Sequence, residues 1–299
     1  MNIAIIGAGA IGSLFGALLS KNNNVELVGR KAHVYMINKK GLKIQGKTKL
    51  KIKINAFENM EKISFIPDLL IISVKSYDTE KAILDIKPLI GDKTLIMSLQ
   101  NGLDNIDKIK KIIEPRKILA CITTHGAYYS KPGLIIHTGI GKTIIGSLNF
   151  KKSQKIQNII KNFNNSGIKT TINNNITSEI YIKAIINSSI NPLTTFFECK
   201  NGYLLKNPIL INLVEQICYE STNIANYYGI AIENDKMFKR TKDVISHTAD
   251  NYSSMLQSIQ KDKKTEIDSI NGKLVEIGKK HGCNTFLNEI MIYSIKKMR

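Results

Sequence analysis

Asn2-Ile3-Ala4-Ile5-Ile6-Gly7-Ala8-Gly9-Ala10-Ile11-Gly12 opens the chain with a β-branched apolar run, three closely spaced glycines and the start of an apolar stretch that continues to Leu19. The run is too short for a helix, and the stretch after it has helical length, so the order strand, tight turn, helix is the physical reading. Gly7 allows the turn, Gly9 leaves room for a pyrophosphate, and Gly12 lets helix and strand pack closely. The helix would then present free N–H groups and a positive dipole end to phosphate. Glycines that merely turn the chain are the plainer alternative, and the flanking strand and helix weigh against it. Gly7, Ala8, Gly9, Ala10, Ile11 and Gly12 are therefore candidate cofactor contacts.

Outward from this turn, short apolar runs alternate with helical periods. Residues 2–6, 25–28, 68–74, 94–99 and 117–122 read as strands, and 10–21, 79–89 and 103–113 as helices. Strands alternating with helices imply a parallel sheet covered on both faces. Residues 42–45, 49–56, 134–138 and 143–147 are further strands, the last two expected to extend one edge. A helix over 153–163 and an Asn-rich stretch to Asn175 follow, and beyond them nearly everything has helical periodicity: 178–189, 207–228, a segment around 243–257, 265–280 and a terminal helix from about 285. Ile267, Ile270, Leu274 and Ile277 form one apolar stripe within 265–280. The expected fold class is α/β: a Rossmann-type parallel-sheet domain over 1–172 followed by an all-α domain over 173–299.

Composition narrows the function. In 299 residues, 43% hydrophobic and 22% charged, there is ample material for a core, which excludes disordered and collagen-like classes. Cys121, Cys199, Cys218 and Cys283 are scattered, with no CxxC and no clustered histidines, so neither a disulfide framework nor a metal site is expected. A reducing cytoplasm fits this best. No apolar run reaches the roughly 18 residues of a membrane-spanning helix, and no membrane partner is expected. The formal charge of +19 would favour nucleic acid. Its lysines are dispersed, however, in pairs such as Lys39-Lys40, Lys151-Lys152, Lys263-Lys264 and Lys279-Lys280, and a drift toward Lys, Asn and Ile runs through the whole chain. No nucleic-acid function is expected.

The second strand ends in Val28-Gly29-Arg30-Lys31, where NAD-specific proteins usually carry an acid for the ribose hydroxyl. A cationic pair there can hold a 2′-phosphate, so NADPH is expected over NADH, with Arg30 as main contact and Lys31 as support. Two more strand ends, Val74-Lys75 and Gln100-Asn101-Gly102, point to the same crevice and place Lys75 and Asn101 near cofactor or substrate.

In the second half, Lys183, Asn187 and Asn191 recur every four residues and so share one face of a helix otherwise rich in isoleucine. Taken alone, such a stripe reads as the solvated face of an amphipathic helix. Held against a core, it would need polar partners, and a substrate with carbonyl, carboxylate and hydroxyl groups supplies them.

These segments, with Asn201-Gly202, Asn251-Tyr252-Ser253-Ser254 and Thr265-Glu266-Ile267-Asp268, together resemble the ketopantoate reductase (2-dehydropantoate 2-reductase) family over almost the whole chain. The resemblance implies NADPH-dependent reduction of the 2-dehydropantoate ketone to (R)-pantoate, toward pantothenate and coenzyme A. It implies Lys183 as proton donor and Glu266 as its helper, which also touches the cofactor. Asn101, Asn187, Asn191, Asn201, Asn251 and Ser254 would bind substrate, and Arg30, Lys75, Asn101 and Ala127 would contact the cofactor. Where the family usually has a Trp two residues before the lysine, this chain has Tyr181.

The chemistry agrees independently. Hydride arriving at a ketone carbon leaves negative charge on its oxygen, and a lysine supplies both cation and proton there. Another branched 2-keto acid on the same scaffold, or a non-catalytic NADPH-responsive binding protein, remain the alternatives; a proton donor argues against the latter. Phe196, Phe197 and Cys199 could wall a substrate pocket, and core is the plainer reading of each. None of His33, His125, His137, His247 and His281 has a paired acid, and none is assigned a proton-transfer role. Apolar surface on the C-terminal helices is compatible with a homodimer.

Overall fold

The computed structural model describes residues 1–148 and 153–298; the Lys151-Lys152 pair lies outside them. In chain order the elements are β1 (Asn2–Ile6), α1 (Ala10–Leu19), β2 (Asn24–Val28), α2 (Lys31–Lys40), β3 (Leu42–Gly46), β4 (Leu50–Ile52), β5 (Asn55–Phe57), β6 (Leu69–Ile72), α3 (Thr79–Ile86), β7 (Leu95–Ser98), α4 (Asn105–Lys110) and β8 (Ile118–Thr123). Next come β9 (Gly126–Lys131), β10 (Leu134–Gly139), β11 (Thr143–Ser147), α5 (Gln154–Asn165) and β12 (Thr170–Ile172). Helices then take over as α6 (Ile176–Phe196), α7 (Tyr203–Lys206), α8 (Pro208–Tyr227), α9 (Asn234–His247) and α10 (Ser254–Ile259). A π-helix over Asp268–Gly272 runs into α11 (Lys273–Lys280), and α12 (Phe286–Lys297) follows. The chain divides into two compact units, Met1–Gln100 with Asn105–Ile176, and Asn101–Asp104 with Thr177–Arg299.

In the first unit the main sheet has the order β12-β11-β8-β7-β6-β1-β2-β5 among the described residues. It is parallel from β8 through β5, and β11 joins β8 antiparallel. Ile3, Ala4, Ile5 and Ile6 of β1 are all at most 1% exposed, as are the four residues of β6, so the sheet is covered on both faces and reads as continuous apolar runs. The chain passes from β1 to β2 on one side and later returns to β6 on the other. That reversal creates a switch point at the carboxyl ends of β1 and β6, where ligands of open α/β sheets bind.

A second sheet, β4-β3-β10-β9, changes two expectations. Residues 134–138 and 143–147 do not extend one edge. Only β11 joins the main sheet, whereas β10 pairs with β3 and β9. Likewise 49–56 is not one strand. β4 pairs antiparallel with β3, and β5 pairs parallel with β2 in the main sheet. Leu50, Ile52, Ile54 and Ala56 keep unbroken alternation through the change of sheet, so hydrophobic period cannot show it. β9, β12 and α2 carry no strong apolar period and were not anticipated; in α2 the buried residues are His33, Val34 and Ile37.

The second unit is helical around a core that includes Ile185, Leu193, Val214, Ile217, Ile224 and Leu274. Several helices differ from expectation. The expected helix over 103–113 is only α4, because Asn101–Asp104 belongs with the second unit. The one expected over 178–189 continues to Phe196 through Pro192. Residues around 243–257 form two helices, α10 being capped by Ser253, whose Oγ accepts from Leu256 N. The helix expected over 265–280 begins only at Asp268, with a π-helical stretch, and Ile267, Ile270, Leu274 and Ile277 are all buried. Phe196 and Phe197 are not core; lying at the end of α6 they are 49% and 45% exposed.

Candidate functional site

In the first unit the glycine turn is built as its sequence requires. The N–H groups of Gly7 and Ala8 both donate to Val28 O, at 3.0 and 2.7 Å, fastening the turn to the end of β2. Gly7 has φ +102°, and a Cβ there would stand 2.6 Å from Val74 N. A Cβ on Gly12 would meet Gly7 O and the Ser73 hydroxyl, both at 2.3 Å. Gly9 differs: its Cβ would find nothing nearer than Gly7 O at 4.0 Å, so the fold itself does not demand glycine there. Gly9 caps α1 without a side-chain hydrogen bond, and the first turn, with Ala10 and Ile11, holds no acid. Space at Gly9 beside open N–H groups fits a pyrophosphate.

Arg30 and Lys31 lie at the N-cap and first residue of α2, whose first turn holds no acid. Cations at the positive end of a helix are unfavourable by about 0.3–1 kcal/mol each, a cost that a bound anion reverses. The charge of Arg30 reaches Tyr129, whose phenol is pushed up by burial and drawn down by that charge. Across the switch point, Ser73 Oγ donates to Gly7 O at 2.8 Å, joining the turn to the end of β6. Lys75 follows, half-buried, at the start of a 3₁₀ turn. Gln100 holds this end in register, with Nε2 donating to Val74 O (2.9 Å) and Thr79 Oγ1 (2.8 Å). Ser73 and Gln100 were not singled out from sequence; a hydroxyl or amide closing an apolar strand is the only signal.

Ala127 lies in β9 of the small sheet, opposite His137, and is partly buried against the main core. His125, two residues earlier, is 7% exposed; its Nδ1 lies 3.0 Å from His137 Nε2, and His137 Nδ1 lies 2.8 Å from Thr48 Oγ1. Burial first, then the neighbouring His137, pulls the His125 pKa down to about 4, which leaves the ring uncharged at neutral pH and unsuited to donate a proton.

The substrate candidates gather in the second unit. Lys183, Asn187 and Asn191 line one face of α6, the first two half-buried and Asn191 6% exposed, so this stripe is not a fully solvated face. Glu179 on the same helix pairs with Arg240 at 3.2 Å, and Tyr181 stacks on Tyr228 with centroids 5.1 Å apart. Tyr181 is thus a buried packing residue.

Asn201 and Asn251 are brought together by the bond from Asn201 N to Asn251 O at 3.0 Å. Asn201 is 7% exposed, and its Nδ2 lies 2.9 Å from Thr248 Oγ1. The Thr248 hydroxyl proton is used on Val244 O at 2.7 Å, so Oγ1 accepts and the Asn201 amide orientation is fixed. Asn201 Oδ1 is left buried without a partner among the described residues. Such an acceptor calls for a donor from a ligand. Ser254 opens α10 and is exposed.

Glu266 is 7% exposed, two residues before the π-helix, and its carbonyl accepts from both Ser269 N and Ile270 N at 3.1 Å. Asn101 belongs to a segment fastened to this region by Leu103 N to Ser269 O at 2.9 Å and Ser269 Oγ to Asp104 Oδ2 at 3.3 Å. No group of His, Cys, Asp and Glu among the described residues is arranged to hold a metal. No described helix is long and apolar enough to cross a membrane.

Known proteins resemble this arrangement over its full length. The profile of the family described as "Ketopantoate reductase PanE/ApbA" matches residues 3–149, and that of its C-terminal part matches 175–299. A 2-dehydropantoate 2-reductase of Pyrococcus abyssi is 41% identical over 282 residues, covering 93% of this chain and 91% of its own. One from Pyrococcus horikoshii is 37% identical, covering 99% and 97%. Among solved structures, a family member of Ralstonia eutropha JMP134 matches with TM-score 0.91 at 25% identity, covering 100% of this chain and 98% of its own. D-mandelate dehydrogenase, solved with NADH and anilino(oxo)acetate, matches with TM-score 0.93 at 28% identity, covering 100% and 99%.

Proposed function

The chain belongs to the ketopantoate reductase family, and from that premise we propose that it reduces the C2 ketone of 2-dehydropantoate to (R)-pantoate, with NADPH as its nicotinamide cofactor, toward pantothenate and coenzyme A. The nicotinamide, when bound, supplies the hydride. Gly7 to Gly12 hold the pyrophosphate, Arg30 and Lys31 the 2′-phosphate, and Lys75, Asn101, Ala127 and Glu266 contact the rest.

Lys183 carries the chemistry of the protein itself. Its ammonium faces the ketone oxygen as charge develops there and gives that oxygen a proton, while Glu266 orients the amine. Asn187, Asn191 and Asn201 hold the substrate without competing for the proton, Asn201 through the acceptor that the fold leaves open. Asn251 and Ser254 bind at the carboxylate. The observation that carries this reading is the α6 stripe, a lysine and two amides drawn partly or wholly out of water on a helix otherwise given to the core.

A second reading keeps the mechanism and changes the ketone. The likeness to D-mandelate dehydrogenase favours an aryl-substituted 2-oxo acid as the alternative substrate.

Both are tested by following reduced-cofactor oxidation with 2-dehydropantoate and a panel of branched and aryl 2-keto acids, NADPH and NADH in parallel. The highest kcat/KM should fall to 2-dehydropantoate with NADPH. Arg30→Ala should raise KM for NADPH about tenfold and leave NADH little changed. Lys183→Ala should lose about 10²- to 10⁴-fold in kcat; wild-type turnover in that variant refutes the proton-donor assignment.

A further inference from the structure

Pro192 lies inside α6, four residues after Ser188. Helical bonding would run from the N–H of residue 192 to the Ser188 carbonyl, and proline has no N–H to give. Ser188 is fully buried, so water cannot serve that carbonyl, and leaving it bare would be costly. The donor comes instead from the π-helix: Asn271 Nδ2 lies 3.2 Å from Ser188 O.

The same nitrogen donates to Asn288 Oδ1 at 3.0 Å, and Asn288 Nδ2 donates to Glu220 Oε1 at 2.8 Å. A carboxylate at one end and a backbone carbonyl at the other accept hydrogen bonds, so both amide orientations are determined. Asn271 and Asn288 are fully buried, and this polar chain crosses the interior of the helical unit.

The two elements that Asn271 joins carry the two groups assigned to proton transfer. Lys183 lies five residues before Ser188 on α6, and Glu266 lies five residues before Asn271. Between Glu266 and Asn271 the backbone widens, Gly272 N reaching back five residues to Ile267 O at 3.0 Å. Such π turns recur at functional sites because they re-aim a helix face.

We propose that Asn271 is a positioning residue for the reaction. By replacing the backbone bond that Pro192 removes, it locks α6 against the Glu266 segment and sets the separation of lysine and glutamate. The inference rests on the assignment of Lys183 and Glu266 to the chemistry.

A double-mutant cycle on the full-length protein tests it, with Asn271→Ala, Pro192→Ala and the double variant. In the Pro192→Ala background the new N–H can bond to Ser188 O, so the asparagine becomes less necessary. With Pro192 present, Asn271→Ala should lower kcat about 10- to 100-fold with Kd for NADPH within about twofold, and the loss should shrink to less than about fivefold in the Pro192→Ala background. The kcat–pH profile of Asn271→Ala should also shift on its basic limb, and Asn271→Gln, which retains an amide donor, should recover part of the rate.

Equal losses in both backgrounds, or unchanged kcat in Asn271→Ala, overturn the proposal. Coupling in urea midpoints without coupling in kcat leaves a structural bond only and overturns the positioning role. An Asn271→Ala chain that folds only in the Pro192→Ala background supports the lock, and one that folds in neither background overturns it. Lys183→Ala is run beside the cycle. If it retains full turnover, the role in proton transfer falls with the lysine assignment, whereas the urea midpoints report separately on the bond between Asn271 and the carbonyl above Pro192.

Discussion

Gly9 and Gly12 look alike in the sequence and differ in what surrounds them. An added methyl at Gly12 strikes Gly7 O and Ser73 Oγ at 2.3 Å, whereas at Gly9 the nearest atom is 4.0 Å away. Gly12→Ala should therefore destabilise the ligand-free protein by about 1–3 kcal/mol through overpacking. Gly9→Ala should keep its urea midpoint close to wild type and lose about tenfold or more in NADPH affinity, since the methyl fills space meant for the pyrophosphate. Urea titration and cofactor fluorescence measured side by side separate the two. The glycine turn between β1 and α1, Arg30 at the start of α2 and the Lys183 stripe on α6 could each be placed in the fold from sequence, because each is a local pattern of residue type and spacing; their roles in binding and catalysis are proposed. The orientation of the Asn201 amide was not, because it depends on Thr248, whose own proton is committed to Val244.

At the scale of elements, strands buried on both faces, as β1 and β6, and strands with an apolar alternation, as β3 and β10, announced themselves, while β9, with neither, did not. Helix ends were harder still. The N-cap residue of α12, Thr285, makes no capping bond and Asn284 Oδ1 serves Phe286 N (3.1 Å); the carboxylate of Glu220, on α8, accepts from Leu287 N (3.0 Å) and Asn288 N (2.8 Å). A cap borrowed from 67 residues away leaves no trace in local sequence. Glu220→Ala would take the acceptor from Leu287 N and Asn288 N, costing about 1–3 kcal/mol for a buried group left bare, while the Asn288 amide keeps Ser221 Oγ at 3.1 Å. Glu220→Gln, which keeps one carbonyl oxygen, should cost less. Denaturant midpoints of the two variants check this, the expected order being wild type, Gln, Ala.

For the molecule as a whole, three buried histidines make stability depend on pH. Burial lowers His33 to about 4, burial and then His137 lower His125 to about 4, and burial lowers His137 as well. Each folded pKa lies below the unfolded value of about 6.5, so the unfolded chain takes up protons first as pH falls. The contribution of His33 and His125 is complete above about pH 6.5 and is lost toward pH 4, at a slope of at most about 1.4 kcal/mol per pH unit for each of these two rings, and His137 acts in the same direction. His33, held between Ser13 Oγ at 3.0 Å and the N–H of Gly133 at 2.9 Å, tests this directly. His33→Gln should be less stable than wild type at pH 7 and should lose less between pH 7 and 5, as read from urea midpoints.

The small sheet carries a consequence for synthesis. β3 and β4 leave the ribosome well before β9 and β10, and β3 pairs with β10 across about 90 residues of chain, an interval of several seconds at ordinary translation speeds. Until β10 is made, the side of β3 that β10 covers has no strand to pair with, and an open edge is the kind of template on which chains stick to one another. Lys43, Lys47, Lys49, Lys51 and Lys53 stud this stretch, all exposed in the finished protein. Like charges along a strand repel a second copy of the same strand, so lysines at these places disfavour edge-to-edge pairing between unfinished chains.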